Sequence, residues 1–162
     1  MKKISLIDED FMDFPIGEFP YDKNHSAIGE YHFIHFPGFY GRWYDPVCNY
    51  RYNGQGASWC IMEYNGRHYM EQMRLHNTEP HRTFPTLETG DRFWRDYDIE
   101  AGLRMFNTKW GSAGIGFCAQ NSLNLLACIF EDKKLKLVYR HKENVEEIKS
   151  VDFDYNCDDT YN

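Results

Sequence analysis

The sequence predicts an all-β protein, an antiparallel β-sandwich or a barrel, and three observations support this. Residues 97–105 alternate apolar and polar side chains with a period of two, as a half-buried strand does. Asn65-Gly66 separates two further alternating segments and is typical of a type I′ hairpin turn. Other short strands follow at spacings of about ten residues, and no segment of useful length has helical periodicity.

These elements predict a single domain over residues 1–162. Residues 13–57 are rich in proline and glycine but also in aromatic side chains, so we expect a long ordered segment, the aromatic wrap. The hairpin follows over residues 58–73. A meander occupies 93–151, with strands predicted at 93–105, 113–119, 123–130, 134–140 and 145–151.

Composition excludes some classes of partner. The net charge of -7 disfavours nucleic acid and anionic membranes, because both require a basic surface. No apolar run approaches the roughly 18 residues that a membrane span needs. The start, MKKISLIDEDF, lacks the apolar region of a signal peptide, so we expect a cytoplasmic protein.

A series of short motifs extends over almost the whole chain. They are Asp8-Glu9-Asp10-Phe11, Gly29-Glu30-Tyr31-His32, Gly41-Arg42-Trp43-Tyr44-Asp45-Pro46, Trp59, Gly66-Arg67-His68, TGDRFWRDYDIEAGLR (89–104), Ala113-Gly114-Ile115-Gly116-Phe117, Phe130-Glu131 and Lys136-Leu137-Val138-Tyr139-Arg140. The series resembles concanavalin A-like (laminin-G-like) jelly-roll domains found at the N-terminus of bacterial polysaccharide-degrading proteins, including rhamnogalacturonan lyase-like ones. The resemblance implies a jelly-roll sandwich and carbohydrate binding, often with structural calcium, but no catalytic set.

Such domains normally continue with several more strands. We therefore expect a sandwich that is incomplete at its C-terminus, or one whose open edge is closed by a further domain or a second chain. A structural or interaction module completed by a partner is accordingly one hypothesis for the function.

The principal hypothesis is a non-catalytic carbohydrate-binding (lectin-like) or accessory domain that binds a poly- or oligosaccharide. Flat aromatic faces suit the C–H surfaces of sugars, and neighbouring polar groups suit the hydroxyls. The candidate ligand-binding residues are Trp43, Tyr44, Arg42, Asp45, Tyr31, His32 and Trp110. In the alternative interpretation, the aromatic residues of the wrap fill the core beneath long loops.

A glycoside hydrolase or polysaccharide lyase is the enzymatic alternative. Asp96, Asp98 and Glu100 would share one face of a strand, and this spacing resembles a degenerate E-x-D-x-E signature of laminarinase-type hydrolases. The same carboxylates suit a solvated face, or a contact to a ligand or cation. For a lyase, His76 would be the base and Arg74 the charge-neutralising cation; both also suit the polar side of a hairpin.

Calcium is the cofactor to consider, and otherwise none is expected. Asp8 and Asp10 near the start and Asp154 near the end would approach one another if the first and last strands paired. Plain solubilising charge is the alternative interpretation of these carboxylates.

Overall fold

The computed structural model describes residues 4–18, 43, 59–72, 86–90, 94–105, 112–121, 123–142, 144–156 and 160–161. Among these residues the secondary structure consists of β-strands without helices, and all strand pairs are antiparallel. This confirms the all-β prediction. The chain divides into two compact units, Met1–Arg92 and Phe93–Asn162. The described part of the chain contains no helix with the length and apolar character needed to cross a bilayer.

The first unit contains a three-stranded sheet in the order β1-β2-β3. The strands are β1 (Gly17–Glu18), β2 (Trp59–Tyr64) and β3 (Arg67–Gln72). Between β2 and β3, Asn65 and Gly66 have φ values of 52° and 72°, the left-handed values that a type I′ turn requires. The predicted hairpin is therefore confirmed, with Tyr64 paired to Arg67 across the turn.

The core of this unit is built on Phe14 and Ile61, which are both buried. Partly buried apolar residues pack around them, namely Phe11, Trp43, Trp59, Met70 and Leu87. Trp43 comes from the predicted aromatic wrap, and the rest of residues 19–58 lie outside the described residues.

The second unit contains a four-stranded meander in the order β5-β6-β7-β8. Its strands are β5 (Ala113–Asn121), β6 (Asn124–Glu131), β7 (Lys134–His141) and β8 (Asn144–Asp152). The four strands predicted after residue 112 are thus confirmed. A separate two-stranded pair joins β4 (Leu103–Arg104) to β9 (Thr160–Tyr161).

Two-residue connections set the register of this meander. Asp132 and Lys133 connect β6 to β7 with φ values of 53° and 58°, again a type I′ geometry. Because a two-residue turn leaves its flanking residues paired, Asn121 pairs with Asn124 and His141 with Asn144. The pairing of Glu131 with Lys134 follows in the same way.

One face of the meander is buried. Residues opposite each other in an antiparallel pair lie on the same face, so the register assigns each side chain to one side. The buried face carries Leu125, Ala127, Ile129, Val138 and Arg140, all no more than 4% exposed. The alternate residues lie on the other face, which we call the tyrosine face because it carries Tyr139.

The prediction of one continuous strand over residues 93–105 is wrong. Residues 94–102 are irregular, and only Leu103–Arg104 pairs with another strand. Asp96 has a φ of 52°, a left-handed conformation that interrupts extended backbone. Ile99, expected to be buried, is 48% exposed. The apolar and polar residues do alternate over this segment, but residues 94–102 make no strand pairing.

A hydrogen bond of Tyr97 helps to account for the irregular backbone of residues 94–102. Its hydroxyl accepts the backbone N–H of Cys118 at 3.3 Å, at the point where the register between β5 and β6 shifts. Cys118 has a φ of 52°, so its N–H points away from the regular ladder and needs another acceptor. The irregular segment therefore satisfies a bulge in β5 instead of forming a strand of its own.

Two glycines of β5 differ in the space around them. A Cβ added to Gly114 would overlap the backbone of Cys128 and Ile129, whereas one added to Gly116 would be tight only against the flexible Leu125 side chain, at 3.2 Å, and would lie at an ordinary contact distance of 3.7 Å from Leu126 O. Close approach of β5 to β6 thus requires glycine at position 114.

We expect Gly114→Ala to lower the free energy of unfolding by about 1–3 kcal/mol, because backbone must move to accommodate the methyl group. Gly116→Ala is the matched control and should cost less, since Leu125 can change rotamer. Urea denaturation of the three proteins measures the difference, and equal midpoints for the two variants would contradict it.

Candidate functional site

Trp43, the central residue of the predicted sugar site, is partly buried and packs against the core of the first unit. Its indole N–H donates to Glu9 Oε2 at 2.9 Å. Its ring lies 5.5 Å from that of Phe11, with 32° between the planes. Because its polar atom and part of its ring surface are already in use, Trp43 holds residues 9–14 against the core, as the alternative interpretation of the wrap expects.

The chain around Glu9 forms a compact turn. Glu9 Oε1 accepts the backbone N–H of Phe11 at 2.9 Å, and Phe11 O accepts that of Phe14 at 3.1 Å. The His68 ring, on β3, makes a further hydrogen bond to Phe11 O at 3.2 Å. These bonds explain why Phe11 tolerates a φ of 60° and how Phe14 reaches the core.

Two of the three carboxylates considered for calcium make other interactions. Asp10 Oδ1 accepts the N–H of Met12 at 3.0 Å, and Asp154 Oδ1 pairs with Lys133 Nζ at 3.1 Å. Asp8 is exposed. Among the residues that the structure describes, no three histidine, cysteine or acidic side chains are grouped so that they would hold a metal.

Most of the other predicted site residues lie outside the described residues. These are Tyr31, His32, Arg42, Tyr44, Asp45, Arg74, His76 and Trp110. Their binding and catalytic roles stay predictions. Asp96, Asp98 and Glu100 are exposed as expected, but they do not form a ladder on one strand face, because the segment that carries them is irregular. The hydrolase hypothesis thus loses the geometry on which it was built.

Sequence reasoning missed a polar row that crosses all four strands of the meander. The paired residues Asn121, Asn124, His141 and Asn144 share the tyrosine face, one from each strand. We call this set the amide row. Each of its residues flanks a two-residue connection, so the register of three successive hairpins would have revealed it in the sequence.

Hydrogen bonds order the amide row. Asn121 Oδ1 accepts the N–H of Leu123 at 2.9 Å and the Asn124 amide nitrogen at 2.8 Å. The Asn124 oxygen consequently faces the next strand, where it lies 2.8 Å from His141 Nδ1. An amide oxygen only accepts, so His141 Nδ1 carries the proton of this bond.

An exposed aromatic pair adjoins the row. The rings of Tyr139 and His141 are stacked, with centroids 6.0 Å apart and planes 25° apart. Tyr139 is 37% exposed, and its neighbours across the strands are Leu126 and Glu146. The arrangement offers an apolar ring, fixed amides and an imidazole on one open face.

A cluster of ion pairs around Lys136 lies on the other face of the meander. Lys136 Nζ bonds Glu131 Oε2 at 2.8 Å and Asp132 Oδ2 at 3.1 Å, and lies 4.0 Å from Glu147 Oε2. The Lys136 side chain is only 11% exposed. The hydrogen bond to Glu131, followed by that to Asp132, raises the pKa of Lys136 above its ordinary value. This cluster holds the β6–β7 turn together and offers no open ligand surface.

Comparison with known protein families, curated proteins and solved structures gives no match to this chain.

The bond between Trp43 and Glu9 predicts a coupling in stability. We expect Trp43→Phe and Glu9→Ala each to lower the free energy of unfolding, and the double variant to lose about 1 kcal/mol less than their sum, because the shared bond is lost only once. Urea denaturation of the four proteins completes the cycle. Additive losses would show that the two side chains do not cooperate.

The Lys136 cluster predicts a dependence of stability on alkaline pH. A raised pKa in the folded state stabilises the protein fully below the ordinary lysine pKa of about 10.4, and this contribution is lost as the pH rises toward the folded value. The stability difference between wild type and Lys136→Met should therefore be constant from pH 7 to 9 and shrink above about pH 10.4. Urea denaturation across this range tests it; a difference that grows with pH would contradict the assignment.

Proposed function

We propose that this chain is a non-catalytic carbohydrate-binding, lectin-like domain, or the accessory domain of a glycan-active protein, with its sheets arranged as a jelly roll. The ligand is a poly- or oligosaccharide. Sugar binds on the tyrosine face of the meander, where one ring lies on Tyr139 and its hydroxyls contact the amide row.

The combination of an exposed aromatic ring with ordered amides supports this proposal most directly. Aromatic faces bind the apolar C–H surface of a pyranose, and amide groups both donate to and accept from sugar hydroxyls. Hydrogen bonds within the amide row reduce the entropy that the side chains would lose on binding, since they already have one orientation.

The position of the site also favours carbohydrate binding over catalysis. Tyr139 and His141 on β7 and Glu146 on β8 are exposed at one end of the tyrosine face, and an exposed sheet surface accommodates sugars without enclosing them. Stacking on one aromatic ring contributes on the order of 1 kcal/mol beyond burial. A single site should thus bind weakly, roughly in the high micromolar to millimolar range.

The aromatic wrap remains part of the proposal as a second contact surface, and Tyr44, Arg42, Asp45, Tyr31 and His32 have the side-chain chemistry for it. Trp110 lies outside the wrap and stays a separate candidate contact. Trp43 takes the role of anchor, because its N–H is bonded to Glu9. A hydrolase or lyase using Asp96, Glu100, His76 or Arg74, and an interaction module completed by a partner chain, stay as alternative predictions.

We expect Tyr139→Ala to weaken binding about fivefold, the loss of roughly one stacked ring. Affinity electrophoresis in gels containing pectic polysaccharide, xylan or β-glucan measures this as reduced retardation. Tyr139→Phe retains the ring and should keep most of the affinity.

Tyr64→Ala is the matched control, because Tyr64 is an exposed tyrosine (61%) on the sheet of the other unit. It should be retarded as wild type is. Absence of retardation of the wild type in every gel, or equal retardation of Tyr139→Ala and wild type, would end the proposal for this face.

A further inference from the structure

We propose that the tyrosine-face site selects neutral sugars and disfavours uronates. This inference rests on the proposed carbohydrate-binding function and specifies its ligand class. It derives from the proton on His141 and from the charge of Glu146, which both border the Tyr139 ring.

The amide row determines which nitrogen of His141 faces a ligand as an acceptor. Asn121 orients Asn124, and the Asn124 oxygen accepts a hydrogen bond from the N–H at His141 Nδ1. In the neutral imidazole, Nε2 then carries the lone pair. An exposed acceptor binds a hydroxyl, which can donate, and repels a carboxylate, which only accepts.

Glu146 adds negative charge beside the same ring. It lies directly opposite Tyr139 on β8 and is exposed. Opposite residues of an antiparallel pair have Cβ atoms about 5 Å apart, so a uronate stacked on Tyr139 would hold its carboxylate within several ångströms of Glu146. The Glu146 carboxylate, like His141 Nε2, therefore favours a sugar hydroxyl over a sugar carboxylate.

The nearest cations on this part of the sheet are less well placed. Lys149 pairs with Leu137, one row further from the amide row, and Lys142 lies in the β7–β8 connection. Neither is the cross-strand neighbour of Tyr139 or of His141, whose partners on β8 are Glu146 and Asn144. The directly opposed side chains on β8 are thus a carboxylate and an amide, whereas Lys149 is only a diagonal neighbour of Tyr139.

A pair of ligands with one backbone and different charge tests the inference. Affinity electrophoresis at pH 8 and low salt would compare highly methyl-esterified polygalacturonate with the same polymer after removal of its esters, alongside neutral β-glucan and arabinoxylan. We expect stronger retardation by the neutral polymers, with an affinity for the de-esterified one lower by roughly three- to tenfold. Added salt should narrow the difference, because it screens the repulsion.

Glu146→Gln should preserve binding to neutral polymers and reduce the discrimination against the de-esterified polymer. Glu63→Gln is the matched control: Glu63 is exposed on β2, so this variant removes the same charge from the molecule without altering the site. It separates local repulsion from the effect of the net charge of -7. His141→Arg places a fixed cation beside Tyr139 and should invert the preference.

The outcomes separate the two proposals. Equal or stronger binding of the de-esterified polymer by the wild type overturns the neutral-sugar inference and leaves carbohydrate binding intact, with Lys149 then the cation to substitute. Equal discrimination by Glu146→Gln and Glu63→Gln also overturns it. Failure to bind any of the polymers overturns the proposed function itself.

Discussion

Two-residue turns with left-handed backbone are the constraint on which this structure depends. Asn65-Gly66 and Asp132-Lys133 each adopt positive φ, which allows two strands with the natural right-handed twist to meet in a tight hairpin. Since each turn leaves its flanking residues paired, it sets the register of the strands beside it. Between β6 and β7 the pairing is uninterrupted, so the Asp132-Lys133 turn determines the face on which Tyr139 and His141 lie.

The fixed register separates two kinds of polar chemistry. On β7, Lys136 and Arg140 lie on the buried face, while Tyr139 and His141 lie on the open one. Burying a charged group is costly unless it is bonded, and Lys136 meets carboxylates while Arg140 Nε donates to Lys142 O at 3.2 Å. A slip of one residue would exchange the two sets, so these charges also specify the register.

Local pattern predicted most of the strands because the turns are local too. The hairpin at Asn65-Gly66 and the four strands after residue 112 follow from alternation and turn chemistry alone. The failure at residues 94–102 has a physical cause: Asp96 tolerates left-handed backbone, and Tyr97 bonds the bulge at Cys118, a distant contact that no local pattern contains. Trp43 presents the same difficulty, since its residue type suits a sugar platform and a core equally, and only its contacts with Glu9 and Phe11 distinguish them.

The irregularities of β5 and β8 have a consequence for the behaviour of the molecule at high concentration. Among the described strands these two form the outer margins of the meander, and the pairing register shifts in each, near Cys118 on β5 and opposite Leu137 and Val138 on β8. Flat margins template the growth of fibrils, because another copy can extend the ladder, whereas bulged and charged ones do not. The bulges at these two margins therefore make them poor templates for the strands of a second copy.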